Sequence, residues 1–185
     1  MGSRGRTLKR YILTGTSGAG KTSVLRYLET QGHFVVEEAA TDVIALEQAL
    51  GIAEPWSYPA FIDKIVAPQK HRQIQFSNIA ADLQFFDRSP IDTYALSIYL
   101  GYSPSAKLQQ EIERIQEYGI YQRPVFFMQN LGFVQPTEAR RISFEQSLQF
   151  EKLHEEAFRH WGYEIVKIPP LAIPERSQSV LRLLE

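Results

Sequence analysis

The sequence predicts an α/β fold, a parallel sheet with helices covering both of its faces. Three observations carry that reading. Short apolar runs alternate with helix-length stretches along the chain. Glycines punctuate the ends of those stretches, at Gly32, Gly51, Gly101, Gly119 and Gly162. Between the first apolar run and the first helical stretch stands Gly15-Thr16-Ser17-Gly18-Ala19-Gly20-Lys21-Thr22, which reads G-x-x-x-x-G-K-T.

The elements follow in order. A strand is expected over residues 10–14 and a helix from the glycine-rich loop to about residue 30. Residues 33–37 read as a second strand and 39–50 as a helix ended by Gly51. Pro55 and Pro59 mark a loop, and a long helix is expected over residues 60–80. Asp82-Leu83-Gln84-Phe85-Phe86 forms a third strand, and Ser89-Pro90 opens a helix with Pro in the first turn, where its missing N–H does little harm. A polar-faced helix covers 105–118, a fourth strand 124–128, a helix 137–161, a fifth strand 163–167 and a last helix 173–184.

In an open parallel sheet, ligands bind beyond the carboxyl ends of the strands. Those ends here carry the glycine-rich loop, Glu37-Glu38, Asp87-Arg88, Gln129-Asn130 and Lys167 with Pro169-Pro170. Polar and charged groups therefore collect at one rim.

The loop matches the phosphate-binding P-loop. Glycines let consecutive backbone N–H groups face into one concave nest, and the helix that begins near Gly20 adds its positive end. Lys21 supplies a mobile cation for the β- and γ-phosphates, and the Thr22 hydroxyl is a hard oxygen suited to Mg²⁺. Gly15, Ser17, Gly18, Ala19, Gly20, Lys21, Thr22 and Ser23 are the expected nucleotide-binding set. The ligand expected is ATP or GTP with Mg²⁺.

Asp87 follows an apolar run as a Walker B acid does, so it is a second candidate for the metal beside Thr22. Arg88 offers a planar five-donor cation to phosphate or substrate. Of Glu37 and Glu38, strand periodicity sends only one toward the site, where a carboxylate can accept the proton of an attacking hydroxyl. Arg140 and Arg141 begin the helix after the fourth strand, beyond a polar connection, and suit closure over the phosphates. Gln69 and Gln73, one turn apart with Arg72 between, can read a base edge, and Trp56 and Tyr58 can wall a pocket. The histidines make no metal site: Glu151-x-x-His154 is half of a di-iron pattern and its second half is missing.

Composition narrows the classes. A chain of 185 residues with 44% hydrophobic content suits one domain, 1–185, with a lid segment at about 130–142. Net charge is −1, which gives no general attraction to nucleic acid or anionic membrane. Cys is absent, removing disulfides and thiolate zinc sites and fitting a cytoplasmic protein. Apolar runs reach only about five residues, so no transmembrane span, secretory signal or stable membrane insertion is expected.

The blocks G-T-S-G-A-G-K-T, E-E-A-A, F-F-D-R-S-P-I-D-T-Y and A-R-R-I-S-F-E together resemble the P-loop small-molecule kinases. The D-R-S block is similar to that of deoxynucleoside and thymidylate kinases. The whole order also resembles an AAA-type family of NTP-binding proteins grouped with the kinase domain of nicotinamide-riboside kinases. That resemblance implies a three-layer α/β/α fold around a five-stranded parallel sheet of order 2-3-1-4-5. It places Glu38 at the acceptor-side acid, Asp87 and Arg88 at the D/E-R-S positions, Arg140 and Arg141 in the lid, and Pro169 near the adenine. Two departures are visible: the deoxynucleoside kinases usually carry Glu at the place of Asp87, and their lid arginines are spaced by one residue.

Two functions remain in view. One is an ATP-dependent kinase acting on a hydroxyl or phosphate of a small nucleoside- or nucleotide-like acceptor. The other is a nucleotide-dependent switch or binding module with a lipid or protein partner. A Ras-type GTPase is disfavoured, because Gln129-Asn130-Leu131-Gly132 stands where N-K-x-D would follow the fourth strand.

Overall fold

The computed structural model describes residues 8–15, 18–79, 81–131 and 143–184. Five strands form one sheet: β1 (Lys9–Thr14), β2 (Phe34–Val36), β3 (Leu83–Asp87), β4 (Pro124–Met128) and β5 (Glu164–Ile168). All pairings are parallel and the order is β2-β3-β1-β4-β5. The helices are α1 (Lys21–Thr30), α2 (Ala39–Ala49), α3 (Ala60–Gln75), α4 (Pro90–Tyr99), α5 (Ala106–Glu117), α6 (Phe144–His160) and α7 (Ile173–Arg182). This is the doubly covered parallel sheet, in the strand order the kinase resemblance implies.

Alternation along the strands builds the three layers. Tyr11, Leu13, Phe85, Phe126 and Met128 pack with Val24, Leu25 and Leu28 of α1 and Val180 of α7. Their neighbours Ile12, Phe86 and Val125 face the other way, onto Ile62, Ile91, Ile112 and Phe158 of α3 to α6. Both faces of the central strands are apolar, so β1, β3 and β4 can only sit in the middle of the sheet. A smaller cluster of Ala39, Val43, Phe61 and Ile65 seats α2 against α3.

Two expected boundaries move. The long helix stops at Gln75 and a 3₁₀ turn follows at Phe76–Asn78. Side chains take over the carbonyls there: Ser77 Oγ donates to Gln73 O at 2.7 Å and Gln84 Nε2 to Phe76 O at 2.6 Å. The helix expected from residue 137 begins at Phe144. Ser143 has extended backbone and closes a capping box, its Oγ accepting from Gln146 N at 3.1 Å while Gln146 Oε1 accepts from Ser143 N at 2.8 Å. Most of the expected lid segment lies outside the described residues.

Candidate active site

The carboxyl ends of β1, β2 and β3 meet at one rim. In register, Leu13 of β1 stands opposite Asp87 of β3, and Phe86 opposite Val36 of β2. The chain leaves β1 through Gly15, whose φ is +129°. A Cβ on Gly15 would fall 2.5 Å from the Met128 carbonyl oxygen, so no larger residue fits against β4. Gly18 and Gly20 also have positive φ, at 84° and 78°, and Gly20 is the N-cap of α1. No side chain caps that helix and no acid stands in its first turn, which leaves its leading N–H groups for an anion. Ser17 lies outside the described residues. Ala19 is buried, and Ser23 points to the exposed side of α1.

Lys21 opens α1 and is 5% exposed. Thr22 Oγ1 donates to Asp87 Oδ2 at 3.1 Å. The other carboxylate oxygen, Asp87 Oδ1, is buried with no hydrogen-bond partner among the described residues. Burial pushes the Asp87 carboxyl above the ordinary carboxylate range, the nearby Glu38 charge adds to this, and Lys21 and Arg88 oppose it. A hydroxyl beside a carboxylate with one buried, unused oxygen is a donor set that fits Mg²⁺, an oxygen-seeking cation.

Arg88 holds the next position with φ at +71°, the only positive φ outside glycine among the described residues. Such a conformation costs roughly 1–3 kcal/mol and persists where its surroundings enforce it. Arg88 N donates to Leu13 O at 3.1 Å, which pins the backbone to β1. Its guanidinium then reaches three partners. Nε lies 2.7 Å from Glu38 Oε1, while Nη1 lies 3.3 Å from Asp92 Oδ1 and 3.0 Å from His154 Nε2.

Each partner is itself fixed. Asp92 closes the capping box of α4, with Oδ2 accepting from Ser89 N at 2.8 Å and Ser89 Oγ at 3.0 Å, and Oδ1 accepting from Thr14 Oγ1. His154 Nδ1 lies 2.8 Å from the Phe150 carbonyl, so that nitrogen carries the proton and Nε2 accepts from Arg88. Burial first, and then the Arg88 charge, pull His154 down to about 3. The ring is therefore neutral at physiological pH.

Glu37 and Glu38 separate as alternation requires. Glu38, the N-cap residue of α2, turns inward to Arg88 and accepts from Thr41 Oγ1 at 2.8 Å. Glu37 is exposed and pairs with Arg26. Arg72 holds the turn between them, donating to Glu37 O at 2.9 Å and Glu38 O at 2.8 Å and pairing with Asp42. A cavity of about 330 Å³ opens beside these groups, floored by Thr22, Leu25, Val35, Glu38 and Asp87.

Gln73 is buried and bonded to Arg114 at 2.7 Å and Ser77 at 3.0 Å, so it is a packing residue of α3. Gln69 accepts from Thr93 at 3.0 Å. Trp56 packs on the α2 cluster and Tyr58 is exposed. Pro169 stands exposed just past β5, on the P-loop rim, with its carbonyl accepting from Leu171 N at 2.8 Å. Arg140 and Arg141 lie outside the described residues.

Sequence reading missed Thr14, Asp92, His154 and Arg176. Asp92 had a signal, since Ser89-x-x-Asp92 is a capping-box spacing. His154 and Arg176 had none, because their partners lie 66 and 157 residues away.

An AAA domain family model matches residues 10–176, nearly the whole chain. The chain belongs to this AAA domain family. No curated protein matches this AAA domain protein. Solved structures do match its fold. Deoxyadenosine kinase from M. mycoides, with the products dCMP and dCDP bound, superposes with a TM-score of 0.64 at 14% identity, covering 95% of this chain and 98% of that one. The same enzyme with bound dCTP gives 0.61 at 16% identity, covering 96% and 98%. Thymidylate kinase from Candida albicans gives 0.58 at 12% identity, covering 96% and 91%. At such identities the likeness is one of fold. Among the described residues, no helix of this AAA domain protein is long and apolar enough to cross a membrane.

Proposed function

We propose that this AAA domain protein is a Mg²⁺-dependent phosphotransferase that moves the γ-phosphoryl group of ATP to a hydroxyl or phosphate of a small nucleoside- or nucleotide-like acceptor. One observation carries the reading. The Thr22–Asp87 pair, 3.1 Å apart, and the Glu38–Arg88 pair, 2.7 Å apart, stand side by side at the mouth of the P-loop. A nucleotide-holding loop alone would need the first pair. The second adds a carboxylate and a guanidinium where an acceptor would meet the terminal phosphate.

The roles follow from chemistry. The P-loop amides and Lys21 bind the β- and γ-phosphates. Thr22 and Asp87 would hold Mg²⁺, which would offset negative charge on the phosphates. Where the acceptor is a hydroxyl, Glu38 takes its proton as the oxygen bonds to the γ-phosphorus and ADP departs. Arg88 steadies the equatorial oxygens of the transferred group. By the kinase resemblance, Arg140 and Arg141 would close over that group and Pro169 would lie by the adenine. Both matching enzymes carry nucleoside or nucleotide kinase names, which supports the choice of acceptor class.

The test is Mg-ATP with a panel of nucleosides, nucleoside monophosphates and pyridine ribosides, scored for ADP and for a new phosphorylated product. ADP release that depends on an acceptor supports the proposal. Failure across the panel, with GTP bound as well as ATP, would favour a nucleotide-dependent switch.

A further inference from the structure

Arg176 lies near the start of α7 and is 1% exposed. Its Nη1 donates to Ala19 O at 2.6 Å and its Nη2 to Gln129 O at 3.3 Å. Its Nε is buried with no hydrogen-bond partner among the described residues. Among the described residues it has no carboxylate partner, only these two backbone carbonyls. Burial lowers its pKa. Arg88, at the same rim, is held by two carboxylates. A buried cation without a counter-ion is costly to keep.

Its location explains what it is kept for. A Cβ on Gly20 would come 3.0 Å from Arg176 Nη1, so the guanidinium lies directly against the P-loop backbone. The Ala19 carbonyl and the Gly20 N–H are opposite ends of one planar peptide unit. Arg176 grips the carbonyl end, which turns the Gly20 N–H away from it. A donor bonded to the carbonyl polarises the amide and makes its N–H a stronger donor in turn. The Gln129 carbonyl ties the same guanidinium to the end of β4, so its position does not depend on the loop alone.

We propose that Arg176 is a positioning residue of the P-loop, acting through the Ala19–Gly20 peptide, and that the charge balancing its buried guanidinium is the polyphosphate of the bound nucleotide. This rests on the nucleotide-binding reading above. The ligand class it recognises is a polyphosphate, whatever base is attached. Arg176 touches no substrate atom in this arrangement and so acts as a positioning and charge-supplying residue.

The experiment is titration calorimetry of the full chain with Mg-ATP and with inorganic tripolyphosphate. It compares the unaltered protein, Arg176→Gln and Arg176→Lys, each first shown to be folded by circular dichroism. The unaltered protein binds both ligands. Arg176→Gln keeps a donor and loses the charge, and weakens both ligands about tenfold or more. Arg176→Lys keeps the charge and loses the two-carbonyl fork, and stays within about threefold of the unaltered protein. A role as a mere clamp predicts that Lys fails as badly as Gln, and that result would overturn the proposal. So would Arg176→Gln binding tripolyphosphate as well as the unaltered protein. If the Gln variant does not fold, the Lys variant decides alone on the same threefold criterion. No binding of either ligand by the unaltered protein would remove the nucleotide reading itself.

Discussion

Arg88 Nε lies 2.7 Å from Glu38 Oε1, and this pair joins the end of β3 to the start of α2 across the mouth of the P-loop. Neither residue is held by its sequence neighbours alone. Arg88 takes its position from a +71° φ and its contacts with Asp92 and His154, and Glu38 from the turn that Arg72 grips. The pair is therefore a product of the tertiary fold.

Glu38→Gln keeps an acceptor for Arg88 and removes the base. ATP affinity should stay within about threefold while ADP release falls by roughly 10²–10⁴. Nucleotide titration and a coupled ADP assay separate the two effects. Equal loss of both would assign Glu38 to nucleotide binding.

Asp87→Asn preserves shape and removes the charge beside Thr22. The gain in ATP affinity on adding Mg²⁺ should disappear, while metal-free binding changes little. Titrations with Mg²⁺ and with EDTA, run on both proteins, decide this. An intact Mg²⁺ effect in the variant would place the ion elsewhere.

His154 makes acid stability a readout of the Arg88 cluster. Its folded pKa of about 3 lies below the ordinary value of 6.5. Between those values the unfolded chain binds the extra proton, so stability rises with pH through this window and is lost as pH falls. One proton gives a slope of about 1.4 kcal/mol per pH unit. Asp87 and Asp92, both shifted upward by burial, act in the opposite sense above the ordinary carboxylate range. Urea melts from pH 3 to pH 7 should show a shallower rise in His154→Gln than in the parent. Identical profiles would show that the ring is not buried neutral.

Gly15→Ala would put a Cβ 2.5 Å from the Met128 carbonyl on backbone at φ +129°. The variant should lose roughly 1–3 kcal/mol of stability and most of its nucleotide affinity, since the loop must leave β4 to make room. Thermal melts and ATP titration check both. A variant as stable as the parent would contradict the close approach.

The sheet was legible because its central strands are apolar on both faces, a pattern only buried parallel strands need. Tyr11 to Leu13 and Val125 to Met128 read as strands without any partner in view. Lys21, Thr22 and Asp87 stood out as candidates because motif and strand end coincide, while alternation left Glu37 and Glu38 open and only the kinase resemblance singled out Glu38. The Arg88 support was mostly hidden. His154 is 66 residues from Arg88 and looks like a core residue, while Asp92 looks like a cap and is one. Arg176 reads as a surface residue of an amphipathic helix, yet it is buried against Ala19 and Gln129. Gln73 failed in the other direction, because a glutamine that could read a base is held by Arg114 and Ser77.

Whether the P-loop grips a nucleotide polyphosphate is tested most directly by calorimetry of Mg-ATP binding to the parent and to Lys21→Ala. The parent should give saturable, one-site heat that requires Mg²⁺, and the variant should give at least about a tenfold weaker isotherm. Equal isotherms for the two proteins, or no heat from the parent, would contradict it.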